Sequence, residues 1–272
     1  MTSLTLNAQQ LLQRRLPWLV AGLGALVVAS WLLNTPEGVL GKADAVGYAV
    51  CHRIDLRSFH LGDRQLPLCA RCTGIYLGAL LALGVLGRKR LGALPPRWIV
   101  VVLIGFIGVM GFDGVNSYLT FFPGLPHLYE PQNWLRLVTG TFDGLAMGAL
   151  IAPVFNQTLW ARWENRAALA GPRDLLGLSA GGLILISLVL TDNPVVLYPL
   201  AILSAVGVVA LLTVLDTVIV LVVARHENRA QGWGGALWPL MAGFTLAMLQ
   251  IGLIDAVRFA VFHSWGGFNL LG

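Results

Sequence analysis

Apolar residues in this chain come in blocks about as long as a helix needs to cross a bilayer, roughly 20 residues at 1.5 Å each. The blocks lie near residues 16–34, 98–119, 134–155, 195–223 and 235–262, with shorter ones at 72–87 and 175–191. In hydrocarbon every backbone polar group must be satisfied within the protein, which leaves helices and closed barrels, and runs of this length select helices. Composition agrees: 57% of the 272 residues are hydrophobic and 11% charged, against about 25% charged in soluble chains. Mean hydropathy is +0.75. The expected fold class is therefore all-α, a polytopic membrane protein with about seven transmembrane helices. The alternative, a soluble helical domain with a thick core, fits this charge content poorly.

Charge placement orients the bundle. Arg14 and Arg15 precede the first block, Arg88, Lys89, Arg90 and Arg97 follow the second, Arg162, Arg166 and Arg173 the fourth, and Arg225 and Arg229 the sixth. With seven crossings these all fall on one side, which the positive-inside rule assigns to the cytoplasm. The N-terminus is then cytoplasmic, the C-terminus is outside, and the protein is a multi-pass protein of the cytoplasmic membrane. Residues 120–133 and 192–194 contain no Lys or Arg, as outside connections should. Trp18, Trp31, Trp98, Trp134, Trp238 and Trp265 fall at the block borders, as in an aromatic belt. The first block is near full length with no A-x-A site after it, so an uncleaved first helix is expected rather than a signal peptide. The net charge of +5 mostly reports these anchors, and nucleic acid is not an expected partner. No linker or low-complexity stretch divides 1–272, which reads as one domain.

One outside segment breaks the charge rule. Residues 51–72, CHRIDLRSFHLGDRQLPLCARC, hold all three cysteines, two of the five histidines, and Arg53, Arg57, Arg64 and Arg71. The 35–71 region thus reads as an extracytoplasmic Cys/His/Arg-rich loop, with a short interfacial helix over 35–50. Cys69 and Cys72 form C-x-x-C at a helix start, where the helix dipole favours thiolates. Cys51 lies eighteen residues before Cys69. Three sulfurs and one nitrogen make a tetrahedral set that suits zinc. His60 is the favoured fourth ligand, because adjacent Cys51 and His52 seldom both point at one ion; His52 is the alternative. Cysteines outside the cytoplasm also pair, and C-x-x-C suits dithiol exchange, although only Cys51 remains after that pair.

Ionisable groups inside a bilayer are costly and mark function. Asp113 is near the outer end of its helix with Asn116 one turn on, and Asp143 is about nine residues into the next. GFDG at 111–114 and TFDG at 141–144 place these two acids in helices of opposite direction. Asp255 and Arg258, at i and i+3, can neutralise each other, and Arg136 enters from the outer end. Asp216 reads as interfacial, and His127 and His263 as solvated.

The string CHR…RSFH…LPLCARCTGIYLG resembles the signature of a domain-of-unknown-function family of bacterial and archaeal membrane proteins. In that family an Asn-x-x-Arg-x-x-x-Gly element follows an Asp-bearing helix, matching Asp113 and then NWLRLVTG at 133–140. The resemblance spans about 48–150 and implies a shared motif without implying an activity. Residues 175–272 are then helices added to that core.

The leading expectation is a membrane-embedded metalloprotein whose outward-facing site holds zinc on Cys51, Cys69, Cys72 and His60 or His52. Asp113 or Asp143 would act as acid–base partner. Arg57, Arg136, Asn116, Asp255 and Arg258 would bind an anionic lipid headgroup or phosphate, giving a lipid- or phosphate-directed hydrolase or transferase. Two other classes compete: an ion- or proton-coupled transporter using Asp113, Asp143 and Asp255, and a C-x-x-C thiol-redox membrane protein.

Overall fold

A computed structural model describes residues 3–87, 90–122 and 124–267, with side chains from residue 17 onward. Arg88 and Lys89, and the side chains of Arg14 and Arg15, used above to orient the chain, lie outside the described residues.

Among the described residues eight helices make up nearly all of the fold: α1 Ser3–Asn34, α2 Gly38–Val50, α3 Ala70–Leu86, α4 Arg97–Leu119, α5 Asn133–Leu159, α6 Pro172–Val189, α7 Pro194–Val223 and α8 Trp233–Phe262. All except α2 and α3 are long and apolar enough to cross a membrane. The 17-residue α3 joins the same two ends of the bundle. This is the all-α polytopic membrane fold that the apolar blocks predict. Helix starts follow local chemistry. Asn193 accepts the Val195 N–H at 2.9 Å with Pro194 in the first turn of α7, where proline's missing N–H costs nothing. Asp174 accepts from Gly171 N–H at 3.1 Å at the start of α6.

The two ends are chemically distinct. At one, β1 (Leu91–Ala93) pairs in parallel with β2 (Glu164–Ala167), and Trp160 bridges Ala230. The connections after α3, α5 and α7 therefore gather together, bringing Arg90, Arg162, Arg166 and Arg229 to one end. At the other end lie the cysteine segment, the 120–132 connection and the residues after α8: Asn133 Nδ2 donates to Leu56 O at 3.2 Å, and Arg53 Nη1 to Trp265 O at 3.1 Å. Cysteines introduced at Glu130 and Arg162 are expected to react with an impermeant thiol reagent from opposite sides of the membrane, Glu130 from outside. Reaction of both from one side would overturn the alternation.

Two packing features set up the site. First, α3 and α5 are in backbone contact. Gly74 and Gly78 of α3 face Leu137, Thr141 and Leu145 of α5, while Gly140, Gly144 and Gly148 face Arg71, Ile75 and Ala79 of α3. A Cβ at Gly144 would sit 1.9 Å from Ile75 O. Small residues four apart let membrane helices approach this closely, and the pair fixes where Arg71 and Cys72 point.

Second, α2 is not part of a surface loop. It buries Gly41, Ala43 and every residue from Ala45 to Ala49, and its core neighbours include Ala205 and Val208 of α7 and Met248 and Ile251 of α8. Both of its ends are tied down. Lys42 Nζ donates to Thr35 O at 3.0 Å, beyond the end of α1. At the C-terminus, Arg258 of α8 donates to the carbonyls of Tyr48 and Cys51. Its guanidinium also stacks 3.9 Å over the Tyr48 ring. A cation is favoured at that end of a helix. Cys51, which ends α2, is thereby delivered into the bundle.

Candidate functional site

Three sulfurs meet where α2 ends and α3 begins. The Sγ atoms of Cys51, Cys69 and Cys72 all lie within 4.8 Å of one another. Cys51 and Cys69 are buried and Cys72 is half-buried. The C-x-x-C spacing puts Cys69 at the N-cap and Cys72 in the first turn of α3. Cys51 arrives in extended backbone at the end of α2, and Cys51 Sγ accepts the Cys69 N–H at 3.3 Å and the Arg53 N–H at 3.4 Å. Hydrogen bonding divides the thiols. The Cys51 thiol is the main influence holding Cys69 well below the usual thiol range, with further help from Cys72 and His52. The same contact with Cys69 pushes Cys51 up to about 12.

The structure separates the two histidines. His60 Nε2 pairs with Asp55 Oδ1 at 2.9 Å in a solvent-facing position, and it is not among the grouped metal-ligating atoms. The favoured fourth ligand is therefore not delivered, because the short hairpin of His60–Leu61 and Arg64–Gln65 turns it outward. His52 lies against Cys69 instead, with the chain bending at Arg53, whose φ is +49°. His52 Nδ1 accepts the Ile54 N–H at 3.0 Å, so the proton of the neutral ring sits on Nε2. That tautomer donates to a thiolate sulfur, whereas a metal needs a nitrogen lone pair. In this arrangement His52 is a hydrogen-bonding partner of Cys69.

Beside the sulfurs lies a buried network of three arginines and one acid. Arg71, between Cys69 and Cys72 in sequence, points away from them and pairs with Asp113 of α4, whose side chain is 2% exposed. Tyr129 Oη donates to Asp113 Oδ1 at 2.7 Å, and Arg71 holds Oδ2, with the Thr139 hydroxyl 3.4 Å from it and 3.0 Å from Leu135 O. Both carboxylate oxygens are therefore engaged, and Asp113 anchors Arg71 rather than offering a free base. Burial pushes the Tyr129 hydroxyl up to about 12, helped by its bond to Asp113, which keeps it a donor.

Arg136 of α5 donates through Nη2 to Ser117 Oγ at 2.9 Å and through Nη1 to Asn133 Oδ1 at 2.8 Å. Arg57 donates through Nη2 to Ser117 O at 3.0 Å and Thr120 Oγ1 at 3.1 Å, and stacks 3.7 Å over the Phe121 ring. Burial lowers Arg57 to about 10, with repulsion from Arg136 and Arg71 adding to it. Asn116 clamps the outer connection, with Nδ2 on Tyr129 O at 2.9 Å and Oδ1 accepting Leu128 N–H at 2.7 Å. Asp113, Asn116, Arg57 and Arg136 thus form one network next to the cysteines.

The remaining candidates lie elsewhere. Asp143 is buried deeper on α5, and no ion pair involves it among the described residues. Asp255 accepts the Trp31 indole N–H at 2.9 Å, so Trp31 is a buried-site donor rather than only a belt residue. Arg258 serves the cysteine segment by holding the end of α2. His127 pairs with Glu130 on the surface at 2.8 Å. Asp216 is 3% exposed and is covered by α8, whose Gln250 donates to it.

Sequence reasoning missed Arg71, Ser117, Tyr129 and Thr139 as site members. For Arg71 a signal existed: adjacent helical residues diverge by about 100°, so a charged residue inside C-x-x-C must face away from the sulfurs toward a different neighbour.

A family model described as "Predicted membrane protein (DUF2085)" matches residues 51–150. The match begins at Cys51 and takes in all three cysteines, the arginine network, Asp113 and Asp143. Among curated proteins, an uncharacterized protein of Methanocaldococcus jannaschii is 29% identical over 124 residues, 44% of this chain and 72% of that protein. An uncharacterized protein of Methanothermobacter thermautotrophicus is 34% identical over 84 residues, 28% of this chain and 76% of that protein. No solved structure matches.

Proposed function

We propose, from the premise that the chain belongs to the DUF2085 family of predicted membrane proteins, that it carries a metal–thiolate centre at the outer end of its helical bundle. The observation that carries this reading is the meeting of three sulfurs from two segments within 4.8 Å of one another. A soft or borderline divalent cation, zinc foremost, is the group that three converging thiolates fit. Cys51, Cys69 and Cys72 would hold it. With His52 donating to Cys69, a fourth position remains for a water or a ligand oxygen, the pattern of catalytic rather than closed structural sites. Bound there, the cation would supply Lewis-acid activation of that oxygen.

The chain's own residues define what is drawn to the site. Of Arg57, Arg71 and Arg136, only Arg71 forms an ion pair among the described residues, with Asp113, so the network carries an excess of positive charge that favours an anionic group. A phosphate-class ligand, free or on a lipid headgroup, has the matching charge, which makes a hydrolase or transferase acting on it the reading we favour. Asp113 positions Arg71 in this scheme.

The test is metal content with ligand substitution. Purified protein is expected to hold about one equivalent of zinc per chain. Single Ser substitutions at Cys51, Cys69 or Cys72 should lose most of it, while His60→Ala should retain it. Cobalt in place of zinc should give thiolate charge-transfer absorption. The competing reading is dithiol exchange, favoured by the low-lying Cys69 thiol between two others. Metal-free protein with a Cys69–Cys72 disulfide by mass would favour it and overturn the metal centre.

A further inference from the structure

A further buried acid lies on the seam of α7 and α8, outside the family-matched segment. Asp216 of α7 is 3% exposed. Its one recorded contact is neutral, with Gln250 Nε2 of α8 donating to Oδ1 at 3.1 Å. The other oxygen, Oδ2, is buried and has no hydrogen-bond partner, and neither has the hydroxyl of Thr213, one turn earlier on α7. Among the described residues no ion pair involves Asp216.

The seam is tight at this point. Gly243 of α8 lets Thr217 Oγ1 and Thr213 O approach so closely that a Cβ there would meet them at 2.1 and 2.7 Å. The Thr217 hydroxyl is spent on Thr213 O at 2.6 Å and Pro239 O at 3.5 Å, so it does not serve the carboxylate. Thr213 also lines a cavity of about 540 Å³ between α2, α7 and α8. The charged residue lining that cavity is Lys42, whose ammonium is engaged with Leu32 O, Thr35 O and Thr35 Oγ1.

A lone carboxylate so buried in an apolar helix seam is expensive unless something neutralises it, and an amide donor carries no charge. An unpartnered carboxylate oxygen, an unpartnered hydroxyl one turn earlier on the same helix and a side-chain amide bonded to the same carboxylate supply oxygen ligands, which suit a small hard monovalent cation or a proton. We infer that Asp216, with Thr213 and Gln250, is an intramembrane binding site for a proton or a sodium-class cation, separate from the cysteine centre.

The experiment compares wild type with Asp216→Asn, which keeps the shape and the Gln250 contact, by unfolding midpoint in detergent. If sodium is the occupant, sodium chloride raises the wild-type midpoint more than potassium chloride does. That rise follows the logarithm of sodium concentration once the dissociation constant is passed. Asp216→Asn shows no such difference, and Thr213→Val weakens the wild-type response. If a proton is the occupant, sodium and potassium act alike, and wild type loses stability relative to Asp216→Asn as pH rises. The sign follows because the folded state then binds more protons than the unfolded one. A readout on wild type alone accompanies this: dicyclohexylcarbodiimide, which modifies protonated carboxyls in apolar surroundings, should add to Asp216. Sodium slows that reaction in the first case, and alkaline buffer slows it in the second. Identical salt and pH responses in the two proteins, with no adduct on Asp216, would overturn the site. Metal content of Asp216→Asn should equal that of wild type, so this result stands apart from the cysteine centre.

Discussion

Removing either partner of the Arg71–Asp113 pair is expected to destabilise the protein strongly, and removing both to restore much of the loss. Asp113 is 2% exposed at its side chain and Arg71 17%, so solvent screens the pair little. Breaking a buried pair from one side typically costs about 3–5 kcal/mol, because the survivor is left as an uncompensated buried charge. Arg71→Met strands Asp113 with Tyr129 and Thr139 as neutral donors. Asp113→Asn strands Arg71 beside Arg57 and Arg136, where burial, and then repulsion from Arg136 and Arg71, already lowers Arg57. The double variant leaves no stranded charge and should unfold closer to wild type than either single variant. The measurement is a double-mutant cycle on denaturation in detergent, read with metal content. Additive losses in the cycle would show that the pair is not coupled. Metal retained at one equivalent in a folded Arg71→Met protein would show that the arginine network does not hold the cysteine segment.

The second large effect is expected from one added side chain at the centre of the bundle. Gly144→Leu places a Cβ 1.9 Å from Ile75 O and a side chain beyond it. The obstacle is helix backbone rather than a flexible side chain, so α3 and α5 must separate. Overpacking costs roughly 1–3 kcal/mol where side chains can shift, and here the cost should exceed that range. Because α3 carries Cys69, Arg71 and Cys72 while α5 carries Arg136 and Thr139, the separation should cost metal content along with stability. Gly108→Leu is the control: nothing lies within 4 Å of its added Cβ, and a change on such a face typically stays within about 0.5 kcal/mol. Failure of Gly144→Leu to accumulate as folded protein, with Gly108→Leu at wild-type levels, is the expected pattern. Equal levels of the two would refute backbone contact between α3 and α5.

Much of this protein was legible in one dimension. Helix positions followed from run length and hydropathy, since a bilayer imposes both residue by residue. The two chemically different ends followed from where Arg and Lys interrupt the runs. The meeting of Cys69 with Cys72 was also local, because C-x-x-C at a helix start puts both sulfurs on one side. The addition of Cys51 rested on composition, on scarce sulfurs gathered in one segment, and the structure supplied the contact.

What the tertiary structure alone decided are pairings between positions far apart in the chain. Arg71 finds Asp113 across 42 residues and Trp31 finds Asp255 across 224. Each depends on how a helix is rotated about its axis, which hydropathy does not encode in helices apolar on nearly every face. The histidine choice is of the same kind: a two-residue strand turns His60 outward, and a single left-handed residue at Arg53 turns His52 toward Cys69. The burial of Asp216 required Gly243 to bring α8 onto α7. The segment before Cys51 reads as a short interfacial helix in an outside region because it is less apolar than the spans. That helix is instead held inside the bundle by Lys42 and Arg258, because small residues that hydropathy scores as weak let it pack closely: Gly41 on Pro36, Gly47 on the Pro67 backbone, and Ala43 in the core shared with α7 and α8.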